Sequence, residues 1–250
     1  MAAIHALAQR YEFRIIEDAS HAIGGRYQNH PVGNCRYSDI TVFSFHPVKI
    51  ITTAEGGMAL TNISELAERM KRLRVHGITR DPDRMQNLPT GPWYYEQLEL
   101  GYNYRMTDLQ AALGLSQLTR LSEFVRLRNE IANRYDELLR NLPVKRPKLI
   151  DDAYSSWHLY PIRLQLGQGE KGHLQVFQAL RNAGIGVNVH YVPLHLHPYY
   201  RALGFEKGMF PVAEAYSQDA ISLPIYPALT FEHQKEVVEA LGKSLKSLKS

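Results

Sequence analysis

A lysine set among hydroxyls and glycines is the first place in this chain where chemistry could sit. The run Ser44-Phe45-His46-Pro47-Val48-Lys49 opens a loop that continues through Thr52, Thr53, Ala54, Glu55, Gly56 and Gly57. It follows an apolar stretch, Ile40-Thr41-Val42-Phe43, that reads as a buried strand. About thirty residues earlier a second such stretch, Phe13-Arg14-Ile15-Ile16-Glu17-Asp18, ends in an acid followed by Ala19, Ser20 and His21. A lysine amine, an acid that can face a ring nitrogen, and small polar groups around a phosphate are what a protein must supply to hold pyridoxal 5'-phosphate (PLP). In that reading Lys49 carries the aldehyde as a Schiff base and later moves a proton, while Asp18 pairs with the pyridinium nitrogen. Plainer roles stay open: a solvated loop lysine, and an aspartate that caps a helix or closes a turn.

These groups need a scaffold, and hydrophobic periodicity supplies its outline. Ile4 to Tyr11 reads as the end of an amphipathic helix, followed by strands at 13–17, 39–45 and 57–61. A helix near 64–75, capped by Ser64, carries Leu66, Met70 and Leu73 on one face. Residues 77–100, with Pro82, Pro89, Gly91 and Pro92, have no period and read as a loop or lid. One long helix is expected from about Thr107 to Leu142, stopped by Pro143, its leucines forming a packing stripe. Beyond it come a strand at 156–166, a helix at 171–183 ending near Gly184, a strand at 185–192, and helices at 211–218 and 232–248. Alternating strands and helices argue for α/β in both halves, with a boundary near 125 and a three-stranded parallel sheet before it.

Composition narrows the class further. The 250 residues are 44% apolar and 22% charged, ordinary for a globular α/β protein with ample core. No apolar run approaches the roughly 18 residues of a membrane span, and the opening residues lack the order of a signal peptide. Cys35 is the only cysteine, so no internal disulfide forms and a cytoplasmic location is expected. The net charge of +4 and an isoelectric point of about 9.0 raise nucleic acid as a rival, but the basic residues are dispersed. Lys243, Lys246 and Lys249 form the one cluster, on a terminal helix, where a solvated face or a phosphate-binding tail would each explain it. A mild positive field also suits an anionic small substrate.

Five segments together carry a family resemblance: Ile16-Glu17-Asp18-Ala19-Ser20-His21-Ala22, Phe43 to Lys49, Glu55-Gly56-Gly57, Gly101-Tyr102-Asn103-Tyr104-Arg105, and His190-Tyr191-Val192-Pro193-Leu194-His195. In this combination the chain resembles the DegT/DnrJ/EryC1/StrS sugar-nucleotide aminotransferases. The resemblance implies a type I PLP-dependent transferase (aspartate aminotransferase-like) fold. Family members are usually longer at the N-terminus, and this chain opens near the end of a helix with no strand before it. An incomplete PLP-binding large domain, 1–124, followed by a C-terminal α/β small domain, 125–250, is therefore expected. The run Pro47 to Gly57 is most similar to members that move an amino group from L-glutamate to the 4-keto carbon of a UDP-linked deoxy sugar in pseudaminic acid synthesis. A homodimer with shared active sites follows from the same resemblance. The alternative is a truncated, catalytically inactive module of the family that still dimerises.

By the same resemblance Ser20 lies behind the PLP ring and His21 hydrogen-bonds its phenolic oxygen, a buried core histidine being the competing role. Ser44 donates to the phosphate, unless it is simply a strand-end serine. Asn103 reaches the phosphate of the neighbouring subunit's cofactor, unless it is a turn asparagine. Arg74, His76 and Arg80 face diphosphate or carboxylate anions, or else a solvated surface. His190, Tyr191 and His195 form a rim that contacts the sugar nucleotide. A metal is not expected: His195 and His197 have the spacing of zinc ligands, but Pro193 and Pro198 interrupt the strand and no acid or cysteine completes a set.

Overall fold

The structure, a computed structural model, describes residues 1–165 and 169–248. Leu166 and Lys249, expected at a strand end and in the lysine stripe, lie outside them. The chain divides into two compact units, Met1–Leu121 and Ser122–Ser250.

The first unit is built outward from the strand Ile40–Ser44, whose alternation turns Thr41 and Phe43 inward. Ile16–Asp18 pairs with it in parallel, placing Asp18 beside Val42. Gly57–Leu60 pairs with its other edge, Ser44 opposite Gly57, but antiparallel. The sheet is thus mixed, not parallel as expected. Residues 45–56 return the chain directly as a loop, and a parallel neighbour would have required a longer crossover, usually a helix. Gly57 lets this return strand approach, because a β-carbon there would stand 2.7 Å from the Phe43 carbonyl oxygen. Under the sheet, buried Thr41 donates its hydroxyl to Glu17 (3.0 Å).

The helix expected at 64–75 runs Ser64–Leu73, with Ile63 rather than Ser64 at the cap position and no side-chain cap. The lid segment has a short ladder of Ile78–Thr79 with Glu96–Gln97 and one turn of 3-10 helix, Pro82–Arg84. The Glu96 carboxylate gathers it, accepting from the backbone N–H groups of Gln86 (2.6 Å) and Asn87 (2.9 Å) and from the Tyr94 hydroxyl (2.9 Å). Those donors hold its pKa well below the usual range, at about 2.

The long helix expected over 107–142 is two helices, Asp108–Leu118 and Leu121–Leu138. The first begins in a capping box of Thr107 and Gln110. It ends where Thr119 turns its hydroxyl onto the Ser116 carbonyl (2.8 Å) and Arg120 N–H tightens to Gln117 (3.1 Å). The leucine stripe divides accordingly. No residue of the first helix is buried, whereas Val125, Ile131, Ala132 and Tyr135 of the second are.

In the second unit Tyr160–Leu164 is the central strand, antiparallel to Ala220–Leu223 and to Val144–Lys145. Its sheet is therefore antiparallel throughout. The helices Gly169–Asn182 and Phe231–Ser247 supply Val176, Leu180, Val237 and Leu241 to one continuous apolar core with Tyr160, Ile162 and Ile221. Lys243 and Lys246 are exposed on the last helix. Arg128 is buried, and among the described residues no carboxylate is its hydrogen-bond partner: its guanidinium donates to the carbonyls of Trp157 (3.0 Å) and Ile225 (2.9 Å). Burial pulls its pKa down to about 10. The strand expected at 185–192 is reduced to a single bridge of Asn188 with Ser222, because the Asn188 side chain takes the Val189 N–H (2.8 Å) for itself. The His190–Tyr191 peptide is cis.

Candidate active site

The loop that carries Lys49 has its ends tied together. Phe45 N–H donates to the Gly56 carbonyl (2.9 Å), and Thr53 N–H and the Thr52 hydroxyl both donate to the Phe45 carbonyl (3.0 Å each). Ile50 and Ile51, 5% and 3% exposed, plug into the unit and leave Val48 outside at 63%. Lys49 lies between them, half-buried, its N–H on the His46 carbonyl (2.9 Å). Two isoleucines next to a lysine thus hold one amine at the edge of the core.

Desolvation there lowers the Lys49 pKa below the ordinary lysine value, opposed by the nearby Asp18 carboxylate. Burial favours the neutral amine, which is the nucleophilic form. Asp18 is held the other way. The Ser20 hydroxyl donates to its Oδ1 at 2.5 Å and the Ser20 N–H to the same oxygen at 3.0 Å. These two bonds are the main reason its pKa sits below the usual carboxylate range, with smaller contributions from His21 and Lys49. Among the described residues Oδ2 accepts no hydrogen bond. An ionised carboxylate with one oxygen free among the described residues, within electrostatic reach of a desolvated amine, supplies the two kinds of group that a pyridoxal ring requires.

The other expected residues of the first unit differ in exposure and in partners. His21 is exposed beside Asp18, so the competing role as a buried core histidine does not hold. Ser44 is half-buried at the strand end leading into the lysine loop, its hydroxyl accepting the His46 N–H (3.5 Å). Asn103 is exposed and bridged by backbone to Val75, between Tyr102 and Tyr104, whose rings stack 4.8 Å apart. Arg74 and Arg80 are exposed, while His76 shares a 2.9 Å hydrogen bond with Arg105.

In the second unit His190 bonds Ser222 Oγ through Nδ1 (2.8 Å), and Tyr191 is exposed with its ring edge-on to His190. His195 differs from the rim residue expected of it: it is buried, its Nε2 on Glu214 Oε1 at 2.8 Å and its ring against Phe210. The Gly208 N–H (2.7 Å) also lands on Oε1, and His195 leads the causes that lower the Glu214 pKa. Sequence reasoning missed Glu214; a lone acid in the helix Pro211–Ser217 was the available signal. It also missed the clasp between Ser20 and Asp18, although a serine two residues after an aspartate is a spacing for such local bonding. His197, exposed, diverges from buried His195.

A model of the DegT/DnrJ/EryC1/StrS aminotransferase family matches residues 1–242. The chain belongs to this family. Its members are PLP-dependent aminotransferases. Among curated relatives, the spore coat polysaccharide biosynthesis protein SpsC of Bacillus subtilis is 36% identical over 249 residues, 98% of this chain and 63% of SpsC. The UDP-4-amino-4,6-dideoxy-N-acetyl-β-L-altrosamine transaminase of Campylobacter jejuni is 37% identical over 247 residues, 98% of this chain and 62% of that protein. Among solved structures, PseC of Helicobacter pylori, an aminotransferase involved in the biosynthesis of pseudoaminic acid, superposes with a TM-score of 0.88 at 33% identity. It is covered to 63%, and this chain to 98%. The PLP form of Spr1654 from Streptococcus pneumoniae, a candidate sugar aminotransferase, gives 0.85 at 31% identity, with 97% of this chain and 60% of that one covered. The fold is that of PLP-dependent sugar aminotransferases, and the chain spans about three fifths of the length of these relatives. Among the described residues no helix is long and apolar enough to cross a membrane.

Proposed function

We propose that this chain carries the lysine-bearing part and the C-terminal domain of an aminotransferase that moves an amino group from L-glutamate to the 4-keto carbon of a UDP-linked deoxy sugar. The observation that carries this reading is the pairing of a desolvated Lys49 amine with an ionised Asp18 in one unit. Bound PLP supplies an electron sink for a carbanion next to nitrogen. The chain's own residues do the rest. Asp18 keeps a proton on the ring nitrogen through its free Oδ2, and the Lys49 Nζ takes and returns the proton at the reacting carbon. Ser44, at the mouth of the lysine loop, donates to the phosphate, and exposed His21 reaches the phenolic oxygen.

The exposed position of Asn103 supports a homodimer in which it reaches the neighbouring subunit's phosphate. Tyr191 and His190 are the substrate contacts we retain from the 190–195 segment; His195, clasped by Glu214, orders that segment from beneath. Pseudaminic acid or a related surface glycan is the product line favoured by the relatives at 37% and 33% identity. A single cysteine and the absence of a membrane-crossing helix among the described residues suit a cytoplasmic enzyme.

Incubating the protein with PLP, reducing with borohydride and mapping the peptides tests the reading. A label on Lys49 is expected, and a chain that stays unlabelled overturns it. The non-catalytic alternative would dimerise by gel filtration while taking up no PLP.

A further inference from the structure

The clasp on Asp18 is asymmetric in a way that the pairing of lysine and acid does not require. Ser20 places two donors, its hydroxyl and its own N–H, on the same oxygen, Oδ1. Ala19 between them is buried, and its N–H donates to the Val42 carbonyl (2.9 Å), extending the pairing of Ile16–Asp18 with the central strand. The backbone of 18–20 is therefore held by the sheet, and the Ser20 hydroxyl adds a second restraint on the carboxylate plane. A carboxylate held at one oxygen loses its freedom to rotate and presents the other in one direction. It also loses the option of taking up a proton at Oδ1, whose lone pairs are already engaged.

We infer that Ser20 is a positioning residue that locks Asp18 through Oδ1 so that Oδ2 alone meets the ring nitrogen of the cofactor. This rests on the PLP reading of Lys49 and Asp18. It differs from the placement behind the ring that the family resemblance implies for Ser20, because the hydroxyl proton is already directed at Asp18. The physical consequence is specific. Losing the hydroxyl frees the carboxylate to turn and to protonate, weakening only the contact to the pyridinium nitrogen and leaving the lysine and phosphate contacts as they were.

A cofactor analogue with carbon in place of the ring nitrogen separates this role from a structural one. Wild type, Ser20→Ala and Ser20→Thr are titrated with PLP and with 1-deaza-PLP, and the complexes are followed by absorbance against pH and by borohydride fixation at Lys49. Ser20→Ala should bind PLP about tenfold more weakly, the scale of one hydrogen bond to a charged group, with deaza-PLP affinity unchanged. The pH at which the bound PLP ring loses its nitrogen proton should fall in Ser20→Ala and return in Ser20→Thr, which keeps the hydroxyl. Equal weakening of both ligands, or unchanged PLP binding with an unchanged pH profile, overturns the role of Ser20 while leaving Lys49 labelled. A wild-type chain that takes no label at Lys49 sinks the cofactor reading itself, and the role of Ser20 with it.

Discussion

In the second unit Tyr135, Tyr160, Ile162 and Leu241 are fully enclosed by three helices and an antiparallel sheet. In the first unit, which holds the amine and the acid, Ile16, Met58, Leu109 and Leu115 stand between 48% and 85% exposed. The difference lies in how each sheet is covered. Two long amphipathic helices and the helix Leu121–Leu138 line the core of one, whereas the helix Asp108–Leu118 of the other buries no residue at all. Apolar burial of side chains of this size contributes about 1.5–3 kcal/mol each, so the second unit holds most of the hydrophobic stabilisation. The amine and the acid thus lie in the unit whose packing is thinner and whose lysine loop is held by backbone hydrogen bonds.

That contrast can be broken at five points. Lys49→Ala should remove all borohydride-fixable PLP label while leaving the urea midpoint within experimental error, since among the described residues Lys49 makes no salt bridge and its side chain is only half-buried; a residual label elsewhere would remove the special status of the first unit. Leu241→Ala should cost about 2–5 kcal/mol in urea unfolding, the range for a fully buried leucine. Arg128→Met strands the Trp157 and Ile225 carbonyls and should cost about 1–3 kcal/mol. If either cost falls below about 0.5 kcal/mol, the second unit is not the stable one.

Glu96→Gln should speed amide exchange at Gln86 and Asn87, leaving the core strands untouched. The pH dependence has a definite sign. The folded pKa of Glu96 is depressed to about 2, so the carboxylate clasp is complete above the unfolded value near 4.3 and is lost as pH falls through about 2. Protection of the Asn87 amide should follow that course in exchange measurements between pH 5 and pH 2. The smallest effect is expected at Leu115, 67% exposed, where Leu115→Ala should change stability by less than about 0.5 kcal/mol. A larger loss there would mean that the stripe on this helix is covered after all.

Local patterns made several features readable beforehand. A buried apolar run marked the strand Ile40–Ser44, and helical patterns marked a start near Thr107 and the helix at 211–218. Lys49 and Asp18 stood out because residue type and place at a strand end are both local. Expectations failed where a competitor acted through space or through one side chain. Thr119 and Arg120 ended a helix whose leucine period continued, and Asn188 removed a strand by bonding its neighbour. The antiparallel return of Gly57–Leu60 depended on a close approach to Phe43 that no spacing rule reports. His195 carried the same motif letters whether it faced substrate or Glu214, and only burial distinguished the two.

The chain's order of amino acids determined which side chains are available, an amine, an acid, hydroxyls and the apolar periods of strands and helices, because these are properties of residues and their near neighbours. The three-dimensional arrangement decided which strand returns beside Phe43, which histidine is buried, and which leucines find a core. Each of those depends on groups far apart along the chain meeting at hydrogen-bonding or van der Waals distance, and such meetings exist only after folding.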